Sequence, residues 1–247
     1  MSEHISVSQL TTWLRCPKQY EFRYLEEIKL PPRSALTRGS AGHKAWEADH
    51  WHKLQTKENL PLETVLDVYS SDFDTRAVGT EWQPDEDAGK IKDVGVRMVT
   101  IYHENVSKKI QPIAVEQPFE VEMDGHIVQG VIDLETDKGE IRDAKTAGKK
   151  KADIPVDYQL QLSIYARAKP NAKKFILDTA IATEKKTEIE TLTMTRADLP
   201  LRRLGNYLQA FGEALIRGYY PPTNPGNWCC SEKWCGYWNM CPFGGKK

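Results

Sequence analysis

No run of about 18 apolar residues occurs in this chain, so the sequence offers no membrane-spanning helix. The opening MSEHISVSQL has neither the basic n-region nor the apolar h-region of a secretory signal, and a cytoplasmic location is the expectation. Charge of one sign is missing too: 34 Lys and Arg face 35 Asp and Glu, for a net charge of −1. Global electrostatics therefore give no case for nucleic-acid binding, and any such case must be local. There is no glycine-rich phosphate loop of the Walker type, which leaves out a nucleotide-driven motor. Internal repeats and low-complexity segments are absent. Cysteine is scarce, with five residues, and uneven, because Cys229, Cys230, Cys235 and Cys241 crowd the last 20 positions. In a cytosolic chain that crowding argues metal or iron–sulfur ligation before disulfides.

What is present reads as an ordinary globular protein of 247 residues, 40% hydrophobic and 28% charged. Ser6 or Ser8 is placed to cap a first helix bearing Leu10, Trp13 and Leu14 on one face. Pro17 opens a second, with Tyr20, Tyr24 and Leu25 as its buried side. Helical patterns follow over 35–57, entered through Gly39 and Gly42, then over 60–74 and 87–107. The period changes to two at Pro112. Strands are expected over 113–123, 127–134 and 140–144, joined by Asp124-Gly125 and Asp137-Lys138-Gly139. A helix over 158–169, strands over 175–183 and 188–194, and a long helix capped by Thr195 with Asp198 complete the pattern. That last helix ends near Gly218, before a loop rich in proline. The sum is a mixed α/β domain around one central sheet.

The chemistry concentrates in the hairpin Gly130 to Thr146, GVIDLETDKGEIRDAKT. It carries Asp133 on one strand and Asp143 and Lys145 on the next. Paired carboxylates suit Mg²⁺ or Mn²⁺, since hard cations prefer oxygen ligands. A lysine beside such an ion can steady an attacking water or a developing phosphorane charge. Asp-x-Lys is common in itself, so its weight depends on partners. His43 shares a helix face with Glu47, and Gln161 shares one with Tyr165. Glu116 faces either the site of Asp133 or solvent. Lys149-Lys150-Lys151, Lys173-Lys174 and Lys185-Lys186 are the local basic runs. In the tail, Cys235 and Cys241 join Cys230 or Cys229, and Cys16 is the remaining thiol to close a four-ligand site. Thiolates alone leave zinc and an iron–sulfur cluster both open.

These pieces, in this order, resemble the PD-(D/E)XK nucleases. The resemblance is to the RecB-like iron–sulfur branch, which includes the AddB nuclease domain, phage RecB-like exonucleases and the CRISPR-associated adaptation nuclease. SVSQLTTWLRCPKQYEFRYL is similar to the branch's N-terminal segment, GSAGHKAWE to its histidine motif, GVIDLE and IRDAKT to its acidic motifs, QLSIY to its QxxxY motif, and KWCGYWNMC to its cluster motif. Asp143 stands where glutamate is commoner, and the branch's C-x₂-C-x₅-C spacing is altered because Glu232 occupies the first of those positions.

The resemblance implies a restriction-endonuclease-like core. It implies that His43, Asp133 and Asp143, with the carbonyl of Ala144, bind Mg²⁺ or Mn²⁺, and that Lys145 activates water. Gln161 and Tyr165 then position the strand or the lysine. Cys16, Cys230, Cys235 and Cys241 hold a [4Fe–4S] cluster, with zinc as the substitute. The expected activity is hydrolysis of DNA by an exonuclease acting on single strands or ends, in recombination, repair or phage DNA metabolism, in the host cytoplasm if phage-encoded. A recombination or CRISPR-adaptation protein is the expected partner. The whole chain, 1–247, is expected to be one nuclease domain: helical over 1–110, catalytic over 111–217, with a cluster-binding tail over 218–247. The rival expectation is a non-catalytic DNA- or partner-binding module stapled by its metal site.

Overall fold

In a computed structural model, residues 4–183 and 186–244 are described. Lys185, of the last basic run, lies outside them. A three-residue strand, β1 (His4–Ser6), runs straight into α1 (Val7–Arg15). Ser6 caps that helix with a capping box to Gln9, so Ser6 rather than Ser8 is the cap. Cys16 is extended and separates α1 from α2 (Pro17–Tyr20), where Pro17 takes the first helical position. The chain then winds into a π-helical turn over 21–25. Leu25, expected on the buried side with Tyr20, is 46% exposed, because it lies five residues on, about 140° round an α-helix from Tyr20.

Three longer helices follow: α3 (Ser34–Thr56), α4 (Leu62–Ala77) and α5 (Ala88–Asn105), the last capped by Asp87. Then come β2 (Pro112–Met123), β3 (His126–Thr136), β4 (Glu140–Ala147), α6 (Val156–Ala168), β5 (Lys174–Ala182), β6 (Thr187–Met194) and α7 (Leu201–Arg217). Thr195 and Asp198 do form a capping box, but it closes a separate 3₁₀ turn over 196–198. Pro200 stands between that turn and α7 because a proline ring cannot continue the first helix.

The sheet runs β1-β3-β4-β5-β6, and β2 pairs with β3 as well. Since β2 follows one edge of β3 nearly end to end, β1 and β4 must share the other. β1 lies parallel to it at 127–129. β4 lies antiparallel only at Leu134–Arg142 and Glu135–Ile141. Between those contacts the edge of β3 is open. β4 and β5 are parallel from Glu140–Lys174 to Ala147–Ile181, with α6 as the crossover, and β6 returns antiparallel. The result is an α/β fold with a central mixed sheet flanked by helices.

Strand alternation divides the core. Ala144 and Ala180 pack with Trp46, Tyr69, Met98 and Tyr102 from α3, α4 and α5. Ile141, Phe175 and Leu177, of the opposite parity, pack on Leu162 and Tyr165 of α6. A third cluster joins Leu10 of α1 to Leu208 and Phe211 of α7 over Met123 and Val128. Gly39 and Gly42 lie inside α3 rather than at its start. A Cβ on Gly39 would stand 3.2 Å from Thr146 Oγ1, so the bare backbone lets α3 cross close to the end of β4.

Gly95 of α5 is under tighter constraint, because an added Cβ would fall 1.7 Å from the hydroxyl of the fully buried Tyr69. Alanine gains at most about 1 kcal/mol of helix propensity. Overpacking against a ring that cannot move aside costs about 1–3 kcal/mol. Thermal denaturation of Gly95→Ala is therefore expected to show a lower Tm than the wild type, and an unchanged or higher Tm would contradict this packing.

Candidate active site

The pairing of β3 with β4 stops one residue short of Asp133 and Asp143. Asp133 Oδ2 still receives the Ala144 N–H at 3.4 Å across the gap. From α3, His43 Nε2 donates to the Ala144 carbonyl, and its Nδ1 lies 3.7 Å from Asp133 Oδ2. A carbonyl can only accept, so the ring carries a proton on Nε2. From β2, Glu116 stands opposite Asp133 in register, with a positive φ of 46°. Ligand atoms of His43, Glu116 and Asp133 all lie within 4.8 Å of one another. The left-handed backbone at Glu116, rare for a residue with a Cβ, marks a local strain at this trio.

Asp143 is fully buried and stands beside the trio rather than in it. Its Oδ1 accepts from Gln161 Nε2 at 2.9 Å, and its Oδ2 pairs with Lys145 Nζ at 2.6 Å. Gln161 also reaches the Tyr165 hydroxyl at 2.6 Å, which donates to the Val131 carbonyl at 3.0 Å. The expected Gln161–Tyr165 pair is thus a brace from α6 onto both strands of the fork. Next along β4, Arg142 forms a bidentate pair with buried Asp178 at 2.8 and 3.1 Å and a bond to Glu140 at 2.7 Å. That network fixes β4 against β5 on the face away from Asp143.

Electrostatics follow from crowding. Burial pushes the Glu116 carboxyl up to about 7, helped by the charges of Asp133 and Glu47. Burial also raises Asp143, against the pull of Lys145 and with the push of Asp133. For Lys145, burial works against the charge, but Asp143 and Asp133 outweigh it and keep the ammonium protonated. Its Nζ also lies 5.4 Å from the Tyr158 ring centroid, and Lys151 Nζ lies 5.5 Å from the same ring. A groove of about 590 Å³ leads to the site, lined by Asp133, Gln161, Tyr158, Lys151, Arg15 and Trp228 among others. The family model of the PD-(D/E)XK nuclease superfamily matches residues 4–242. The chain belongs to the PD-(D/E)XK nuclease superfamily.

Among solved structures, a protein from Eubacterium rectale described as a "Putative exonuclease" is 13% identical, with a TM-score of 0.63 over 92% of this chain and 87% of that one. At that identity the likeness is one of fold. SSO0001 is 18% identical over 100% of this chain and 89% of its own, with a TM-score of 0.47. No curated protein matches the sequence. No helix among the described residues is long and apolar enough to cross a membrane.

The cysteines of this PD-(D/E)XK chain lie apart from that site. All five cysteines are free thiols and line one cavity between the N-terminal helices and the tail. Among the described residues, no three cysteine sulfurs converge within 4.8 Å. Gln19 Nε2 lies 3.3 Å from Cys235 Sγ, and the Thr223 N–H lies 3.4 Å from Cys16 Sγ. Burial raises Cys230, with further pushes from Cys16, Cys235 and Cys241. Cys229 is also raised by burial, but its thiol donates to the Arg15 carbonyl at 3.7 Å. Tyr237 is buried, stacked on Phe22 and bonded to the Ile28 carbonyl at 3.0 Å. Trp234, by contrast, is 55% exposed.

Sequence reasoning passed over Tyr158, Arg15 and Trp228, which line the groove from three separate elements. Only the aromatic and basic residue types could have drawn attention to them. The crowded carboxyls also predict a pH response of the metal-free protein. A raised carboxyl pKa means that the fold favours the protonated form, so this contribution is full below about 4.5, the ordinary value for Glu116, and is lost as pH rises through about 7. His50, lowered to about 4 by burial, acts the other way, but its contribution is complete above about 6.5. With chelator present, Tm is expected to fall between pH 6.5 and 8, and Glu116→Gln is expected to flatten that fall. An identical slope in both proteins would contradict the assignment.

Proposed function

We propose that this chain is a divalent-metal-dependent DNA nuclease of the RecB-like branch, acting on single strands or strand ends, and that its 247 residues work as one unit. The carrying observation is the trio His43, Glu116 and Asp133 set beside the Asp143–Lys145 pair at the end of an open groove. The donor set fits Mg²⁺ or Mn²⁺: two carboxylates and one imidazole converge, and a dication would relieve the crowding that raises Glu116. Asp143 would complete the set on the Lys145 side. The Ala144 carbonyl, held by His43, orients that ring.

The bound ion supplies Lewis acidity toward a phosphoryl oxygen and makes a nearby water more acidic. The rest is done by side chains. Lys145 is held protonated by Asp143, which takes one N–H, so the other two donors can orient the water and offset charge developing on the phosphate. Gln161 fixes Asp143 through Oδ1 and leaves Oδ2 to the lysine. Tyr165 locks Gln161 to β3, which keeps the fork open.

The cysteine cavity supports a [4Fe–4S] cluster held by Cys16, Cys230, Cys235 and Cys241. All four line the one cavity between the N-terminal helices and the tail. Cys230 feels the other three thiols of the set, whereas the thiol of Cys229 is spent on the Arg15 carbonyl. The cluster would pin the tail to α1 and α2, a structural role.

Hydrolysis of an end-labelled DNA strand with Mn²⁺ tests the activity. Lys145→Ala and Asp133→Ala are each expected to lose on the order of 10²-fold or more in rate. A wild type as inert as both variants would leave a non-catalytic binding module as the reading. The visible spectrum of anaerobically purified protein tests the cluster. Cys230→Ser is expected to bleach it and Cys229→Ser to retain it. Colourless wild type with one zinc per chain would overturn the cluster.

A further inference from the structure

The groove that reaches Asp133 and Gln161 has an aromatic wall that the catalytic arrangement does not use. Trp228 lines it and is 65% exposed. The ring is held in place from behind. Its chain neighbour Cys229 is buried, with its thiol on the Arg15 carbonyl, and the Trp228 carbonyl accepts from Ser231 Oγ at 3.1 Å. Trp234 meets it edge to face, with ring centroids 5.9 Å apart and planes at 82°. The indole is therefore braced without being sandwiched. Arg15 and Lys151 stand in the same groove. The Arg15 partner, Asp157, is exposed at 3.4 Å and is readily exchanged for a phosphate.

We propose that Trp228 is a base-stacking residue that makes this groove select an unpaired DNA strand over a duplex. The inference rests on the nuclease reading and names what that site selects. An exposed π-face stacks on any unpaired base, whatever its identity. Bases inside a duplex are already stacked and offer only their edges in the grooves. Tyr158 and Tyr165 also line the groove, but Lys145 and Lys151 both lie against the Tyr158 ring and Tyr165 is buried, which leaves Trp228 as the available face. Arg15 and Lys151 then take the backbone on either side of the stacked base.

Binding of a labelled oligo-dT strand and of a blunt hairpin duplex to the full chain, by fluorescence anisotropy with chelator to prevent hydrolysis, tests this. Trp228→Ala is expected to weaken strand binding about tenfold, Trp228→Phe to recover most of it, and both to leave duplex binding unchanged. Independently of any variant, the wild type is expected to bind a strand of abasic sites about tenfold more weakly than oligo-dT. Equal strand affinity of the wild type and Trp228→Ala, equal losses on strand and duplex, or full-strength abasic binding would each overturn the proposal. The nuclease reading is scored separately by hydrolysis with Mn²⁺. Stacking without hydrolysis overturns that reading and supports Trp228, whereas hydrolysis that Trp228→Ala leaves unchanged on both strand and duplex overturns Trp228 alone.

Discussion

One edge of one strand is asked to serve two partners, and the site depends on that constraint. β3 gives 127–129 to β1 and 134–135 to β4. The residues between have no ladder partner on that side. Backbone groups left open in a sheet interior are costly unless other groups reach them. Here the Tyr165 hydroxyl takes the Val131 carbonyl, and Asp133 reaches across to the Ala144 N–H. The fork is thus closed by side chains rather than by backbone. A cleft held open in this way can admit a ligand where a continuous sheet cannot.

The charges inside the cleft are balanced in pairs. Lys145 answers Asp143, and Arg142 answers Asp178 and Glu140 on the opposite face of the same strand. Removing one member of a buried pair is strongly destabilising, because the other is left uncompensated. At the trio, Asp133 and Glu47 crowd Glu116, and the charge of Lys44 acts the other way. An imidazole and two crowded carboxylates form an acidic hollow next to Lys145, which Asp143 holds. Such an acidic hollow has the chemistry of a dication site.

Much of this was legible before any coordinates. Hairpin turns at Asp124-Gly125 and Gly139 take the positive φ values that their residues suggested. The two-residue period after Pro112 marked β2, and apolar spacing marked α3, α5 and α7. The acidic hairpin stood out because Asp133, Asp143 and Lys145 interrupt otherwise apolar strands. What stayed hidden depends on contacts far apart in sequence. β1 is three residues long and gains its identity only by lying against β3. Thr195 carries the chemistry of a helix cap, but Pro200 decides where the helix begins. Glu116 was legible only as facing either the site of Asp133 or solvent, and its backbone twist and position across from Asp133 bring it into the trio. Trp228 reads as one more tail aromatic until the cysteine cavity ties the tail to α1.

The central claim is that a divalent ion is seated by His43, Glu116 and Asp133, with Lys145 beside it and not among its ligands. Mn²⁺ binding, followed by electron paramagnetic resonance or calorimetry, reads this without reference to turnover. The account predicts saturable Mn²⁺ binding that weakens in His43→Ala, Glu116→Gln and Asp133→Asn and persists in Lys145→Ala. Mn²⁺ binding that ignores all three ligand substitutions, or that is lost with Lys145 alone, would contradict it.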